Sequence, residues 1–192
     1  MRRILFWGSA ALTAVVLGLG TALLAVMITG LRGDGGSVGP WVTRDTTGSP
    51  DAGPYVRATT AIYALLALNR KETIYYNTVT DSGGKVLSGD CTYRLTGRDL
   101  PARWWSITAY GADAHLIENS AHRYSISQTT VERDADGSYV AIVSPRPHER
   151  NWLPVKAGRR FELTARFYNP EPGVEKGEGV NALPIILRES CS

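Results

Sequence analysis

The segment "ARWWSITAY", residues 102–110, decides how this chain folds. Its aromatic and β-branched residues predict a strand. Neighbouring side chains of a strand point to opposite faces of the sheet, so Trp104 and Trp105 cannot both enter one core. The segment therefore has an apolar face for the core, with Trp105, Ile107 and Ala109, and a half-polar face, with Trp104, Ser106, Thr108 and Tyr110.

Other short segments with the same composition occur along the chain, and turn sequences such as "DSGG" and "DADG" separate them. The predicted strands cover residues 72–80, 91–97, 103–110, 123–133, 138–144, 160–168 and 183–189. Many short strands at such spacing are typical of an antiparallel β-sandwich or a jelly roll. The sequence thus predicts a mainly β domain.

One helix is predicted within this domain, over residues 54–69. Pro54 suits a first helical turn, and apolar residues recur with helical spacing up to Leu66. The apolar side of this helix needs a partner, and the outer face of the 103–110 strand needs a cover. We expect the helix to pack over Trp104, and the alternative is an open face that stacks a ligand.

The N-terminal segment from Ile4 to Leu31 contains no charged residue. About 20 such residues suffice to cross a bilayer as a helix, whereas a signal peptide needs only roughly 7 to 15. We predict an uncleaved signal anchor over residues 1–29, with a cleaved signal peptide as the alternative. Arg2 and Arg3 precede it, which favours a cytoplasmic N terminus and a body outside the membrane. The Gly-rich residues 30–39 predict a flexible tether, and residues 40–192 form the predicted sandwich domain.

The net charge is +3, and Arg2 and Arg3 leave only +1 for the body. This near-neutral body gives no electrostatic reason to expect a nucleic-acid partner. The two cysteines, Cys91 and Cys191, predict a structural disulfide in an oxidising compartment, with a reactive thiol as the alternative. No metal-ligand spacing occurs among the three histidines, so we predict neither a metal site nor a cofactor.

Two segments of the sequence hold groups of polar residues of the kinds found in functional sites. The segment 113–122 holds His115, Glu118, Asn119 and His122, and "RNWLPV" holds Asn151 and Trp152. A hairpin would bring the first group together as an acid/base cluster. The alternative interpretation is loop histidines and turn-stabilising asparagines, with Asn151 and Trp152 anchoring a loop or lining a pocket rim.

Several strings recur together in a pattern that is similar to a known family. They are "GPWVTRDTTGSPDAGPYVRA", "LPARWWSITAYGADAHLIENSAHRYSIS", "DADGSYVAIVS", "NWLPV", "FELTARFYNP" and "LPIILRESC". The chain resembles the bacterial family called domain of unknown function 1214. The resemblance implies a β-sandwich in a membrane or exported protein, often encoded with or fused to a companion called domain of unknown function 1254. In the membrane-anchored form, the cysteine after "LPIILRES" looks like the partner of Cys91.

Together these observations predict a single-pass protein of the bacterial inner membrane with a periplasmic C-terminal domain. Our first hypothesis is non-catalytic binding of an envelope partner or a small ligand. The alternative is an envelope hydrolase or lyase that uses the polar cluster at residues 113–122. The ligand-binding candidates are Trp104, Tyr110, His115, Glu118, Asn119, His122, Asn151 and Trp152.

Overall fold

The N-terminal apolar segment forms one long helix, α1, Arg2–Leu31. The computed structural model describes residues 2–31, 35–44, 46–63 and 67–192 of the chain. The most apolar 18-residue window within Arg2–Ile28 has a mean hydropathy of 2.4, and none of that window is buried inside the protein. Helix α1 is thus long and apolar enough to cross a membrane, as either an anchor or a signal sequence does.

A second helix, α2, spans Pro54–Tyr63 and packs on α1. The Thr59 hydroxyl lies within hydrogen-bond distance of two carbonyl oxygens, that of Val26 in α1 at 3.2 Å and that of Tyr55 at 2.9 Å, and its single proton serves one or both of them. The helix is shorter than predicted, because residues 67–69 are not helical and residues 64–66 lie outside the described residues. Its main packing partner also differs from the expected one, which was the sheet around Trp104.

The larger sheet has six antiparallel strands in the order β1-β2-β3-β9-β5-β6. They are β1 Ser37–Val38, β2 Trp41–Thr43, β3 Thr73–Thr78, β5 Ala102–Gly111, β6 Ser125–Ser127 and β9 Phe161–Pro170. Strands β1 and β2 were not predicted, since two or three residues carry too little pattern. Strand β1 lies within the predicted tether, and β6 is much shorter than the predicted 123–133. Strand β6 ends because the Thr130 hydroxyl accepts a hydrogen bond from the Ser127 backbone amide at 3.0 Å and the chain turns there.

The smaller sheet has four strands in the order β10-β4-β7-β8. They are β4 Cys91–Gly97, β7 Tyr139–Ser144, β8 Trp152–Pro154 and β10 Ile185–Cys191. Strands β7 and β8 are parallel, which the sequence did not predict. Two single-turn 3₁₀ helices, Val174–Lys176 and Val180–Ala182, precede β10. The fold is therefore mainly β, with mixed pairing and two α-helices.

The core joins residues of the two sheets in one apolar cluster. Trp105 of β5 stacks on Tyr139 of β7 with ring centroids 5.4 Å apart. Tyr93 of β4 meets the edge of Phe161 of β9 at 5.7 Å. The predicted core face of the 103–110 strand is confirmed, because Trp105, Ile107 and Ala109 are all at most 2% exposed.

The predicted disulfide is present and joins β4 directly to β10, where Cys91 pairs with Cys191. Its two cysteines are 100 positions apart, so the bond restricts a large part of the unfolded chain.

Replacement of both cysteines by serine should therefore lower the free energy of unfolding by about 2 to 4 kcal/mol. Urea denaturation of the detergent-solubilised full chain, with and without a reducing agent, measures this. Equal stability of the reduced and oxidised chains would contradict it.

Candidate functional site

The outer face of the six-stranded sheet carries an unusual concentration of aromatic and polar side chains. Strands β5 and β9 form its centre with the cross-strand pairs Trp104–Tyr168, Ser106–Arg166, Thr108–Thr164 and Tyr110–Glu162. Strand β3 adds Tyr75, which pairs with Arg166. We call the set Tyr75, Trp104, Tyr110, Arg166 and Tyr168 the Arg166 face, and all five side chains are half-buried.

Arg166 is positioned by two tyrosines, and among the described residues it forms no ion pair with a carboxylate. Its guanidinium carbon lies 5.7 Å from the ring centre of Tyr75 and 5.3 Å from that of Tyr110. One nitrogen donates a 2.8 Å hydrogen bond to the Tyr110 hydroxyl. Within the described part of the chain, no acidic group lies within 4.0 Å of Arg166. Because a guanidinium has five N–H donors, most of its donors stay available for an anion.

Glu162 shares this face and neighbours Tyr110 across the strands. Burial raises the pKa of Glu162 because desolvation disfavours the carboxylate, and the attraction of Arg166 opposes this only in part. The carboxylate and the guanidinium thus influence each other through space without forming an ion pair.

Trp104 and Tyr168 form an aromatic pair that lies two residues along the strands from Ser106 and Arg166. The rings of Trp104 and Tyr168 lie 5.1 Å apart at a tilt of 53°. Burial raises the pKa of the Tyr168 phenol, and the positive charge of Arg166, followed by a hydrogen bond with Ser106, partly offsets this. Thr73 pairs with Tyr168 from the other side, and its buried hydroxyl has no hydrogen-bond partner among the described residues.

Short hydroxyl side chains form the floor between these large groups. Ser106, Thr108 and Thr164 are exposed by only 4%, 7% and 4%, although they point away from the core. The Thr164 hydroxyl donates a 2.8 Å hydrogen bond to the side-chain oxygen of Asn77. The large aromatic and arginine side chains around them therefore cover these small residues, and the accessible surface of the face consists mainly of the half-buried aromatic rings and Arg166.

The structure places the predicted candidates of the 113–122 segment in local turns. The His115 ring, with 84% of its side chain exposed, hydrogen-bonds the Asp113 carbonyl at 2.8 Å. Asn119 bridges the carbonyls of Ile117 and Arg123, both at 2.9 Å. Glu118 and His122 are exposed. These hydrogen bonds stabilise the loop. Within the described residues, none of them joins His115 to Asn119.

Trp152 begins strand β8 of the four-stranded sheet, and Asn151 directly precedes it. The buried Asn151 amide donates to the carbonyls of Glu132 at 2.7 Å and Val140 at 2.9 Å, and its oxygen accepts from the Glu132 amide at 2.7 Å. The Trp152 indole donates to the Ser144 carbonyl at 3.0 Å. Both side chains therefore anchor the loop before β8, away from Trp104 and Tyr110, which are the two predicted candidates that lie on the Arg166 face.

A shallow groove of about 750 Å³ lies outside the four-stranded sheet, lined in part by Arg94, His148, Arg150 and Glu189. Both of its arginines are paired with carboxylates: Arg94 binds Glu189, and Arg150 binds Glu132 at 3.0 Å. Exposed ion pairs of this kind are common on protein surfaces and contribute little to the stability of the fold. The unpaired Arg166 makes the opposite face the stronger candidate site.

Sequence reasoning missed Arg166, Tyr168, Tyr75 and Glu162. The signal was present in "FELTARFY", residues 161–168, where every second residue from Glu162 to Tyr168 is polar or aromatic. That alternation predicts a second half-polar strand face, but only the register of β5 with β9 brings it beside Trp104 and Tyr110.

A family model described as "Protein of unknown function (DUF1214)" matches residues 72–172, which include β3, β5 and β9. The chain belongs to this family. The resemblance found in the sequence is thus confirmed, and the whole Arg166 face lies within the matched region.

Two solved structures are similar to this DUF1214 chain. The VPA0106 protein from Vibrio parahaemolyticus is 26% identical with a TM-score of 0.60, over 73% of this chain and 36% of that chain. An uncharacterized protein from Burkholderia cenocepacia is 16% identical with a TM-score of 0.46, over 94% of this chain and 52% of that one. The chain therefore spans about a third to a half of the length of these structures. No curated protein matches the sequence.

The raised pKa of Glu162 predicts a pH-dependent stability. A carboxyl whose pKa is higher in the folded state binds its proton more tightly there, so its contribution falls as the pH rises through that pKa. Glu162→Gln should therefore be more stable than the unmodified protein at pH 7, and the difference should shrink towards pH 4. Thermal unfolding across this range measures it, with the exposed Glu118→Gln as the matched control. Parallel pH profiles for Glu162→Gln and the unmodified protein would rule this out.

Proposed function

We propose that this protein is a single-pass envelope protein whose periplasmic β-sandwich binds a small ligand on the Arg166 face without catalysing its reaction. The observation that carries the proposal is Arg166 itself. It is half-buried and held between two tyrosines, and no carboxylate of the described residues lies within 4.0 Å of it. Structural arginines in partly desolvated positions are normally paired, so an unpaired one supports a binding role.

The contact between α1 and α2 supports a retained anchor. Thr59 of α2 hydrogen-bonds Val26 near the C-terminal end of α1, and the two helices pack together. Cleavage of a signal peptide would remove the helix on which α2 packs. Arg2 and Arg3 before the span favour a cytoplasmic N terminus, and the Cys91–Cys191 disulfide suits an oxidising periplasm.

Rigid placement of the ligand-facing groups further supports binding. Trp104, Arg166 and Tyr75 lie on three neighbouring strands, with β9 in the middle, and each strand is hydrogen-bonded to its neighbour. The other side of the same strands packs in the core, through Trp105 and Phe167. Side chains held in this way are ordered before a ligand arrives, which lowers the entropic cost of binding.

The hydrolase or lyase alternative needs the polar groups of residues 113–122 and Asn151 in one pocket. His115 and Asn119 form hydrogen bonds within nearby turns, and Asn151 forms them around the loop before β8. These side chains are occupied with local structure, which favours binding over catalysis as the role of the domain.

A companion chain belongs to the proposal, because the family resemblance implies one of the domain of unknown function 1254 type. The similar Vibrio chain is much longer than the segment that this chain matches, which covers 36% of it. We propose that this companion is a protein of the same membrane that associates with the chain. Co-purification from intact membranes tests this association.

Topology is testable with reporters. Alkaline phosphatase fused after Ser192 should be active, because that enzyme needs the disulfides formed in the periplasm, and the product should keep the mass of the uncleaved chain. Arg2→Glu combined with Arg3→Glu should lower the phosphatase activity by removing the positive flank of α1. Arg98→Glu, far from α1 in the sequence, is the control. Fluorescence of a green fluorescent protein fused at the same site would place the body in the cytosol and refute the proposal.

Binding is testable before the ligand is known. The detergent-solubilised full chain, incubated with a small-molecule extract of bacterial envelopes, should retain a compound that mass spectrometry detects. The double variant Trp104→Ala with Arg166→Gln should lose that compound. Arg103→Gln is the matched control, because Arg103 neighbours Trp104 on β5 but is exposed and points to the opposite side of the strand. Equal retention by the double variant would exclude the Arg166 face as the binding site.

A further inference from the structure

We infer that α2 lies along the surface of the membrane that α1 spans, on the side of the domain, with Tyr55 and Ile62 inserted among the lipids. The partner of this side of the helix is thus the bilayer itself. The inference rests on the retained anchor of the proposed function and adds a second, peripheral contact between the domain and the membrane.

One side of α2 is exposed and apolar. Tyr55, Ala58, Ala61 and Ile62 share this side, because they follow one another at spacings of three or four residues. Tyr55 is 47% exposed and Ile62 is 60% exposed. A surface helix of a soluble domain normally turns charged or polar residues outward, so an apolar exposed side indicates that another apolar phase covers it.

The contact with α1 places α2 at the height of the membrane surface. About 20 helical residues, counted from Ile4, cross the hydrocarbon core and end near Leu23. The Thr59 hydroxyl of α2 lies 3.2 Å from the carbonyl oxygen of Val26, which is about 4.5 Å along the helix beyond Leu23. Interfacial helices lie within about 5 to 10 Å of the boundary between headgroups and acyl chains, so α2 is at the depth that such helices occupy.

The apolar side of α2 borders the lipid-facing surface of α1. Tyr55 and Ile62 flank Thr59, which contacts α1, since they are four and three residues away from it on the same helix. The most apolar window of α1 is not buried within the protein, which leaves its surface for lipid. Lipid around α1 therefore extends onto Tyr55 and Ile62. Tyrosine suits this position, because its ring is apolar and its hydroxyl reaches headgroups or water.

The size of this side favours lipid over a protein partner. Helix α2 has ten residues and is about 15 Å long and 10 Å wide, so one side offers roughly 150 Å². A stable protein interface covers about 800 Å² on each partner. A bilayer needs no such area, because the insertion adds to an anchor that already holds the chain at the membrane.

Spin labelling of the full chain, in lipid nanodiscs that hold one chain each, tests the inference. The nitroxide is attached at Ile62→Cys, or at Val79→Cys as the matched control, while the native cysteines stay in their disulfide. The Val79 side chain is 55% exposed and directly follows β3, at the end of that strand away from α2. Power saturation measures collisions with oxygen, which concentrates in lipid, and with a nickel chelate, which stays in water. We expect an oxygen-to-nickel ratio several times higher at position 62 than at position 79.

Tyr55→Asp, measured with the label at position 62, provides a second variant. A carboxylate is costly within lipid, so the oxygen-to-nickel ratio should fall several-fold. Aspartate suits the first turn of a helix, so this change does not disrupt α2 itself. Gly53→Asp is the control, because it adds the same charge at an exposed position just before α2, where a Cβ meets nothing within 4 Å. It should leave the ratio unchanged.

A label at Val16→Cys, in the middle of α1, separates the inference from the proposed anchor. Lipid-like values at position 16 with water-like values at position 62 would overturn the inference and leave the anchor intact. Water-like values at both positions would refute both statements. Exclusion of both reagents from position 62 in liposomes that hold many chains would show that a second copy covers α2, which also overturns the inference.

Discussion

The antiparallel pairing of β5 with β9 places Trp105 opposite Phe167 on one side of the sheet and Trp104 opposite Tyr168 on the other. Both sides depend on the same backbone hydrogen bonds, because the side chains of a strand alternate between its faces. A shift of one residue in this register would expose the core residues and bury Arg166. The apolar core therefore fixes the register, and the register in turn assembles the Arg166 face.

Two other arginines of this fold, Arg133 and Arg188, are each paired with a carboxylate. Asp99 accepts hydrogen bonds from the Trp105 indole at 3.0 Å and from Arg133 at 2.6 Å. The Arg133 guanidinium holds the pKa of the Asp99 carboxyl below its usual range, so the carboxylate stays charged. Similarly, Arg188 binds the buried Asp81 at 2.9 Å and lies over the ring of Tyr93. In these cases the arginine ties two parts of the chain together.

The sequence predicts the parts of this fold that depend on local pattern. The alternation in "ARWWSITAY" predicts which of the two tryptophans is buried, and the positions of the cysteines predict a disulfide. It does not predict β8, whose three residues pair in parallel with β7 through a loop that Asn151 holds. It also does not predict that α2 packs on α1, because amphipathic spacing shows that a helix face is apolar but not which surface covers it.

The candidate site is less predictable for a related reason. Trp104 and Tyr110 are visible from one strand, but Arg166 joins them only through pairing between segments that are far apart in the chain. Arg166 then differs from Arg133 and Arg188 in a way that no local pattern reveals. It has the half-buried setting and the aromatic neighbours of a structural arginine, yet it donates its hydrogen bond to a tyrosine hydroxyl. Holding a guanidinium partly out of water costs free energy. Glu162 on the same face offsets this cost only through space, since no carboxylate of the described residues lies within 4.0 Å of Arg166.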